Sequence, residues 1–258
     1  MSDKRDAREP LEIDLAVLSD TGTQLGHNED HAGKYVKSRN SGLVVVADGM
    51  ATAEGAELAS QRAVLALLQS FRQCPEGMPQ TQRLIRAARS ASFEVYDLAI
   101  VVPQLRGVST TMTAVAVNGG CMTAAHVGDG RVYLIRDGRI LQLSKDHTVA
   151  AEAAEQGRRG YENDQSLTRS LGRELLVPID LFETDLVQGD TVIVCTDGLY
   201  RVLEESKMLS IVLGLDAATA CRHLVDQANL VGTFDNLTVG VVRLPVGRPS
   251  MAQTRGPK

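Results

Sequence analysis

Asp48-Gly49 ends the apolar run "LVVVADGM", and Asp197-Gly198 ends "TVIVCTDGL". Asp235 stands just before "NLTVGVVRL", and Glu29-Asp30 lies within "GHNEDH". Each acidic spot falls at the end of a strand-like run or in the loop beside it, where side chains from distant segments can meet. A single Asp-Gly after a strand is ordinarily a turn. Several together have another reading, because carboxylates gathered in one place repel and hold raised pKa values unless a cation sits among them. An all-oxygen set without cysteine and with few histidines suits hard divalent ions such as Mg2+ or Mn2+. A glycine beside the ligand lets the backbone approach, so that its carbonyl can join the set. Two such ions about 3.5–4 Å apart share a bridging carboxylate and activate a water for in-line attack on phosphorus.

Other chemistries have weaker support. His27 and His31 are spaced i, i+4, which raises zinc, but Asn28 stands where H-E-x-x-H needs glutamate, and Gly22 and Gly26 argue against a helix there. His126, His147 and His223 stand alone and read as hydrogen-bonded or core histidines. The chain has no G-x-S-x-G, no Walker P-loop and no G-x-G-x-x-G. Asn118-Gly119-Gly120 is the one short cluster of glycines, and it reads as a hairpin turn rather than a phosphate cradle.

The acidic spots must be positioned by a mixed framework. Apolar and alternating runs predict strands over 11–19, 42–47, 110–117, 121–127, 130–136, 139–143, 179–185, 190–195 and 236–243. Asp137-Gly138 in "RVYLIRDGRILQL" is a two-residue hairpin turn, and consecutive hairpins imply an antiparallel meander. Helices are predicted over 53–72, 79–99, 147–157, 203–213 and 216–230; in the first, Ala56, Ala59, Ala63 and Leu67 recur at spacings of three and four. The order predicts an α+β fold, antiparallel sheet with helices on its outer faces.

Composition narrows the class. The chain has 258 residues, 43% hydrophobic and 23% charged, as expected of a globular domain with a sizeable core. Lys and Arg number 27 against 32 Asp and Glu, a net charge of −5, which disfavours nucleic acid or an anionic membrane as a partner. Cys74, Cys121, Cys195 and Cys221 make no C-x-x-C pair, and Cys121 and Cys195 are expected to be buried and reduced, which suits the cytoplasm. "MSDKRDAREP" lacks the apolar stretch of a signal peptide, and no run approaches the length of a membrane span. One folded domain over 11–244 is expected, with flexible ends at 1–10 and 245–258, acting as a monomer.

Seven segments in order carry a family likeness: "SDTGTQLGHNED" (19–30), "VVVADGM" (44–50), "STTMTAVAV" (109–117), "AHVGDGRVYLIRDGRILQLSKDHT" (125–148), "LTRSLG" (167–172), "DTVIVCTDGLY" (190–200) and "DNLTVGVV" (235–242). From about Leu15 to Leu244 the chain resembles the metal-dependent serine/threonine protein phosphatases of the 2C type, in their compact bacterial form. The resemblance implies an αββα sandwich of two antiparallel sheets flanked by helix pairs, with two Mn2+ or Mg2+ ions at one edge and a looser third. It implies that Asp48 bridges the two ions and the Gly49 carbonyl binds one. Asp197 and Asp235 complete the second site, and Glu29 and Asp30 hold metal-bound waters. Asp129 helps to bind the third ion, and 147–168 forms a mobile flap. Asp48, Asp197 and Asp235 would then be the catalytic carboxylates. A water activated by the ions would hydrolyse phosphoserine or phosphothreonine, reversing a bacterial serine/threonine kinase.

Three positions depart from that pattern. Leu25 stands where the family often has a phosphate-clamping arginine, Ala51-Thr52 replaces a glycine pair, and Gly130 replaces a serine. No matched metal ligand is lost. Two alternatives remain: a catalytically weak or inactive pseudophosphatase that binds phosphoproteins, and a hydrolase of small phosphate esters.

Overall fold

Two sheets form, and the alternation of side chains along their strands builds three apolar layers. The computed structural model describes residues 11–246. The expected flexible ends therefore lie outside the described residues, apart from 245 and 246. The first sheet contains β1 (Asp14–Asp20), β7 (Arg131–Arg136), β8 (Arg139–Gln142), β10 (Thr191–Cys195) and β11 (Leu237–Arg243), in the order β1-β11-β10-β7-β8. The second contains β2 (Asp30–Ser38), β3 (Ser41–Met50), β5 (Met112–Asn118), β6 (Cys121–Val127) and β9 (Asp180–Asp185) in the order β2-β3-β5-β6-β9, with the short β4 (Ser109–Thr110) on the end of β3. All pairings are antiparallel.

Helices α1 (Ala53–Arg72) and α2 (Gln80–Val101) cover one face of the second sheet. They pack Ala59, Ala63, Leu67, Leu84 and Ala88 against Leu43, Val45, Ala114 and Ala125. Helices α5 (Glu205–Val212) and α6 (Ala217–Val231) cover the first sheet, burying Met208, Leu224 and Ala228 against Ile193, Val239 and Val241. Between the sheets lie Val44, Val46, Val115, Val132, Val192, Val194 and Val242. This is the expected αββα sandwich, and its central strands are buried on both faces.

The hairpin turns form as expected: Asp137 and Gly138 both take positive φ, 50° and 70°. Strand β2 is absent from the sequence-based expectation. Its "DHAGKYVKS" is polar, contains glycine and is only partly buried at the sheet edge, so it shows no clear alternation. Residues 147–157 yield only α3 (Val149–Glu155), and Asp197–Tyr200 forms a helical turn, α4, that was not predicted. Among the cysteines, all free, Cys195 is buried and Cys121 is only half-buried at its hairpin mouth.

Candidate active site

Asp48 belongs to a row that begins in the core. Val44 and Val46 of β3 point between the sheets, so period-2 alternation carries Asp48 onward in that row to the open end of the sandwich. Asp30 of β2 is its direct register partner, on the same face. From the opposite sheet, Val192 and Val194 of β10 place Thr196 in the equivalent row, and its hydroxyl donates to Asp30 Oδ2 at 2.7 Å. The same hydroxyl accepts the Thr238 N–H at 3.1 Å, so one threonine ties β2 to β11.

The backbone around Asp48 is pinned. Its N–H donates to Thr111 Oγ1 at 2.9 Å, and its carbonyl accepts from the Thr110 hydroxyl at 2.7 Å and the Thr111 N–H at 2.8 Å. Gly49 is needed for packing: a Cβ there would lie 1.9 Å from the Ala56 carbonyl oxygen of α1. Gly198 has the same role, since its Cβ would lie 2.0 Å from the Asn236 carbonyl oxygen. Each glycine after an acidic residue thus marks where another segment's backbone closes on a strand end.

Asn236, which sequence reasoning passed over, positions Glu29. Its buried amide donates to the carbonyls of Thr21 (2.8 Å) and His27 (2.9 Å) and accepts the Glu29 N–H at 2.8 Å. Ser60 of α1 donates to the Glu29 carbonyl at 2.6 Å. Asp235, half-buried, accepts the Asn236 N–H at 2.9 Å. The only sequence signal for Asn236 was its place beside Asp235.

Electrostatics brings these carboxylates into one field. Burial, then the charges of Asp30, Asp197, Asp235 and Asp129, hold the Asp48 carboxyl well above its usual range. Burial pushes Asp30 up to about 7 against the opposing Thr196 hydrogen bond, and pushes Asp197 up to about 7 with Asp129 adding to it. Burial and the Asp235 charge raise Glu29. Burial also raises Asp129, opposed by Arg201. Arg201 Nη2 lies 2.7 Å from Asp197 Oδ2 and 3.8 Å from Asp129 Oδ2. No three His, Cys, Asp or Glu side chains among the described residues close on a single point as a metal cage. Ions held here would keep part of their water shell, as Mg2+ commonly does.

His27 and His31 do not form a zinc pair, because His27 lies in a non-helical bend and His31 in β2. His126 accepts from or donates to Thr113 Oγ1 (2.9 Å) through Nδ1 and contacts the Lys145 carbonyl (3.0 Å) through Nε2; burial holds it down at about 4. His147 Nδ1 accepts the Gly128 N–H at 3.1 Å. His147 stacks on His126 with ring centroids 4.7 Å apart and places its Nε2 3.2 Å from Asp180 Oδ2, which anchors the start of 147–168 beside Gly128. That segment closes on itself through Thr148 and Leu167. Leu25 is 42% exposed in the loop before Glu29. Ala51 takes φ 150°, a conformation that suits the glycine usual there.

Residues 24–228 match the Protein phosphatase 2C family. The chain belongs to that family. It is 28% identical over 234 residues to the serine/threonine phosphatase stp of Listeria monocytogenes, spanning 87% of this chain and 93% of that one. It is 31% identical over 244 residues to the serine/threonine protein phosphatase PstP of Mycobacterium tuberculosis, covering 91% of this chain and 46% of that longer protein. The crystal structure of PstP superposes with a TM-score of 0.81 at 30% identity, covering 92% of this chain and all of that one. A second PstP catalytic-domain structure, in complex with two manganese ions, gives 0.80 at the same identity. The chain is therefore an enzyme of the protein phosphatase 2C kind, and nothing among the described residues favours the non-catalytic alternative.

Proposed function

We propose that this protein is a Mn2+- or Mg2+-dependent serine/threonine protein phosphatase, with Asp48 as the carboxylate shared by two ions. The observation that supports this most is the Asp30–Asp48 pair. Two carboxylates in register at a strand end, with raised pKa values and no cationic side chain on them among the described residues, need a divalent cation to stay ionised at neutral pH. The donors are oxygen only, which suits Mn2+ or Mg2+.

Asp48 and the Gly49 carbonyl would hold one ion, and Asp48 with Asp197 and Asp235 the other. When bound, the ions supply Lewis-acid charge that makes a water nucleophilic near neutral pH and offsets charge on the phosphoryl oxygens. Glu29 and Asp30 would accept hydrogen bonds from water bound at the ions. Thr196 fixes the rotamer of Asp30, and Asn236 fixes the backbone of Glu29. Asp48 is held through both its N–H and its carbonyl, so the shared carboxylate is pre-positioned. Leu25 offers no charge to the substrate phosphate, so binding there depends on the ions and on other surface groups.

The substrate is a phosphorylated protein, and the partner reaction is a serine/threonine kinase of the same cell. Four free cysteines suit the reducing cytoplasm, where such a kinase and its targets would be met; among the described residues no helix is long and apolar enough to cross a membrane. The test is turnover of a phosphothreonine peptide with Mn2+, with and without EDTA. Activity that EDTA abolishes, and that Asp197→Ala loses, is expected. Metal-independent turnover would overturn the reading, and activity confined to small phosphate esters would point to the alternative substrate class.

A further inference from the structure

Asp129 and Asp197 are 5% and 7% exposed and belong to different strand ends, yet a single nitrogen reaches both. Arg201 Nη2 lies 2.7 Å from Asp197 Oδ2 and 3.8 Å from Asp129 Oδ2. Two buried carboxylates this close need a cation between them. In this chain that cation is covalently part of the protein.

The surroundings commit Arg201 to this place. The turn of α4 brings it one helical step from Asp197, closed by the Arg201 N–H donating to the Asp197 carbonyl at 3.0 Å. Its neighbour Tyr200 donates its hydroxyl to the Asp129 carbonyl at 3.1 Å. The Tyr200 ring is in turn covered by the Arg131 guanidinium, 3.6 Å from its centroid, and Arg131 is fixed by Asp146 through Nη2 at 2.7 Å. Adjacent residues therefore face Asp129 at both ends, Tyr200 through a hydrogen bond to its carbonyl and Arg201 through a longer ion pair to its carboxylate. Gly130 adds no side-chain oxygen, and a Cβ there would lie 2.5 Å from Thr113 Oγ1. An ion at this spot would meet a guanidinium already in place and few oxygens.

We propose that Arg201 is a built-in cation that takes the place of a third metal ion between Asp129 and Asp197, so that the protein binds two divalent ions and not three. Arg201 is thus a positioning residue: it holds the Asp197 carboxylate while leaving that residue's other oxygen for an ion. Asp129 is a partner of Arg201 rather than a metal ligand. This rests on the two-ion reading above.

The experiment counts bound Mn2+ by the loss of the free-ion paramagnetic resonance signal, up to millimolar Mn2+, in the full chain and its variants. The wild type is expected to saturate at two equivalents, and Asp129→Asn to leave that number unchanged. Arg201→Ala is expected to gain a third, weaker equivalent, bound at least about tenfold more tightly than any third ion in the wild type. The added equivalent should vanish in Arg201→Ala/Asp129→Asn. A third equivalent in the wild type that Asp129→Asn removes would overturn the inference while leaving the two-ion site standing. So would Arg201→Ala that melts cooperatively and gains no ion. No bound Mn2+ in the wild type would overturn both readings.

Discussion

Asp30 and Asp48 face each other across β2 and β3, with the Thr196 hydroxyl on Asp30 and, among the described residues, no cationic side chain on either, whereas Asp129 and Asp197 share the guanidinium of Arg201. Both pairs are buried against the end of the same sandwich, and burial raises the pKa of all four carboxyls. The difference is the source of the compensating charge. One pair must draw it from solution and the other has it in the chain. A cleft built this way can bind and release ions on the first side while one charge of the second is offset in place by Arg201. With Asp48 proposed as the shared carboxylate, chemistry and ion exchange fall together on the first side.

The largest effect that would break this contrast comes from Asp48→Asn. It should lower kcat/KM by about a thousandfold or more, as expected when the group that carries the ions' electrostatic stabilisation is lost. The same change should stabilise the EDTA-treated protein by about 1–3 kcal/mol, because without metal the buried Asp48 carboxyl must take up a proton to stay folded, whereas asparagine is neutral already. Steady-state kinetics and urea unfolding in EDTA read the two signs. A loss of both activity and stability would mean that Asp48 is merely structural.

Proton linkage tests one carboxyl of each pair without mutation. Asp30 and Asp197 have folded-state pKa values of about 7, above the roughly 3.9 of an unfolded aspartate. Between those values the folded chain holds protons that the unfolded chain has released. Their contribution is complete below about pH 4 and is lost as pH rises through 7. The Tm in EDTA should therefore fall from pH 5 to pH 8. Millimolar Mn2+ should raise it most at the upper end, where the carboxylates are ionised and free to bind. A Mn2+ effect equal at both pH values would count against the carboxylates as ligands.

Thr196→Val cuts the link between the sheets at the Asp30 side. The Thr238 N–H loses its acceptor and Asp30 loses its donor, at a cost of about 1–3 kcal/mol in denaturant unfolding. A kcat reduced by about tenfold should accompany it through looser positioning of Asp30. Arg201→Ala has the smallest expected effect. Its side chain is 45% exposed, so the EDTA-treated protein should lose only about 1 kcal/mol. Mn2+ should restore that loss through the added ion, which differential scanning calorimetry can follow.

Much of the framework was legible because its signals are local. The hairpin at Asp137-Gly138 is read from two residues, and α1 from the spacing of Ala56, Ala59, Ala63 and Leu67. Strand β2 was not legible, since a partly buried edge strand such as "DHAGKYVKS" has no need of a clean apolar alternation. Arg201 escaped because its partner Asp129 is 72 residues away and nothing between them marks the pairing. Asn236 escaped for the same reason: its hydrogen bond to Glu29 spans 207 positions.

By itself the sequence determined the apolar runs, their tight turns and the acids at their ends, because these depend on side-chain hydrophobicity and backbone preference over a few residues. It could not say which face Asp48 would take. "LVVVA" is apolar throughout, as a strand buried between helices and a second sheet must be, so alternation leaves no trace in it. Tertiary structure decided that Val44, Val46 and Asp48 look into the gap between the sheets, and that Asp30 meets them there in register. It also decided that residues 197–200 curl into a helical turn after β10. On an extended continuation Arg201 would lie about 13 Å along the chain from Asp197. The turn brings it back over the carboxylate and places a permanent cation on one side of the cleft.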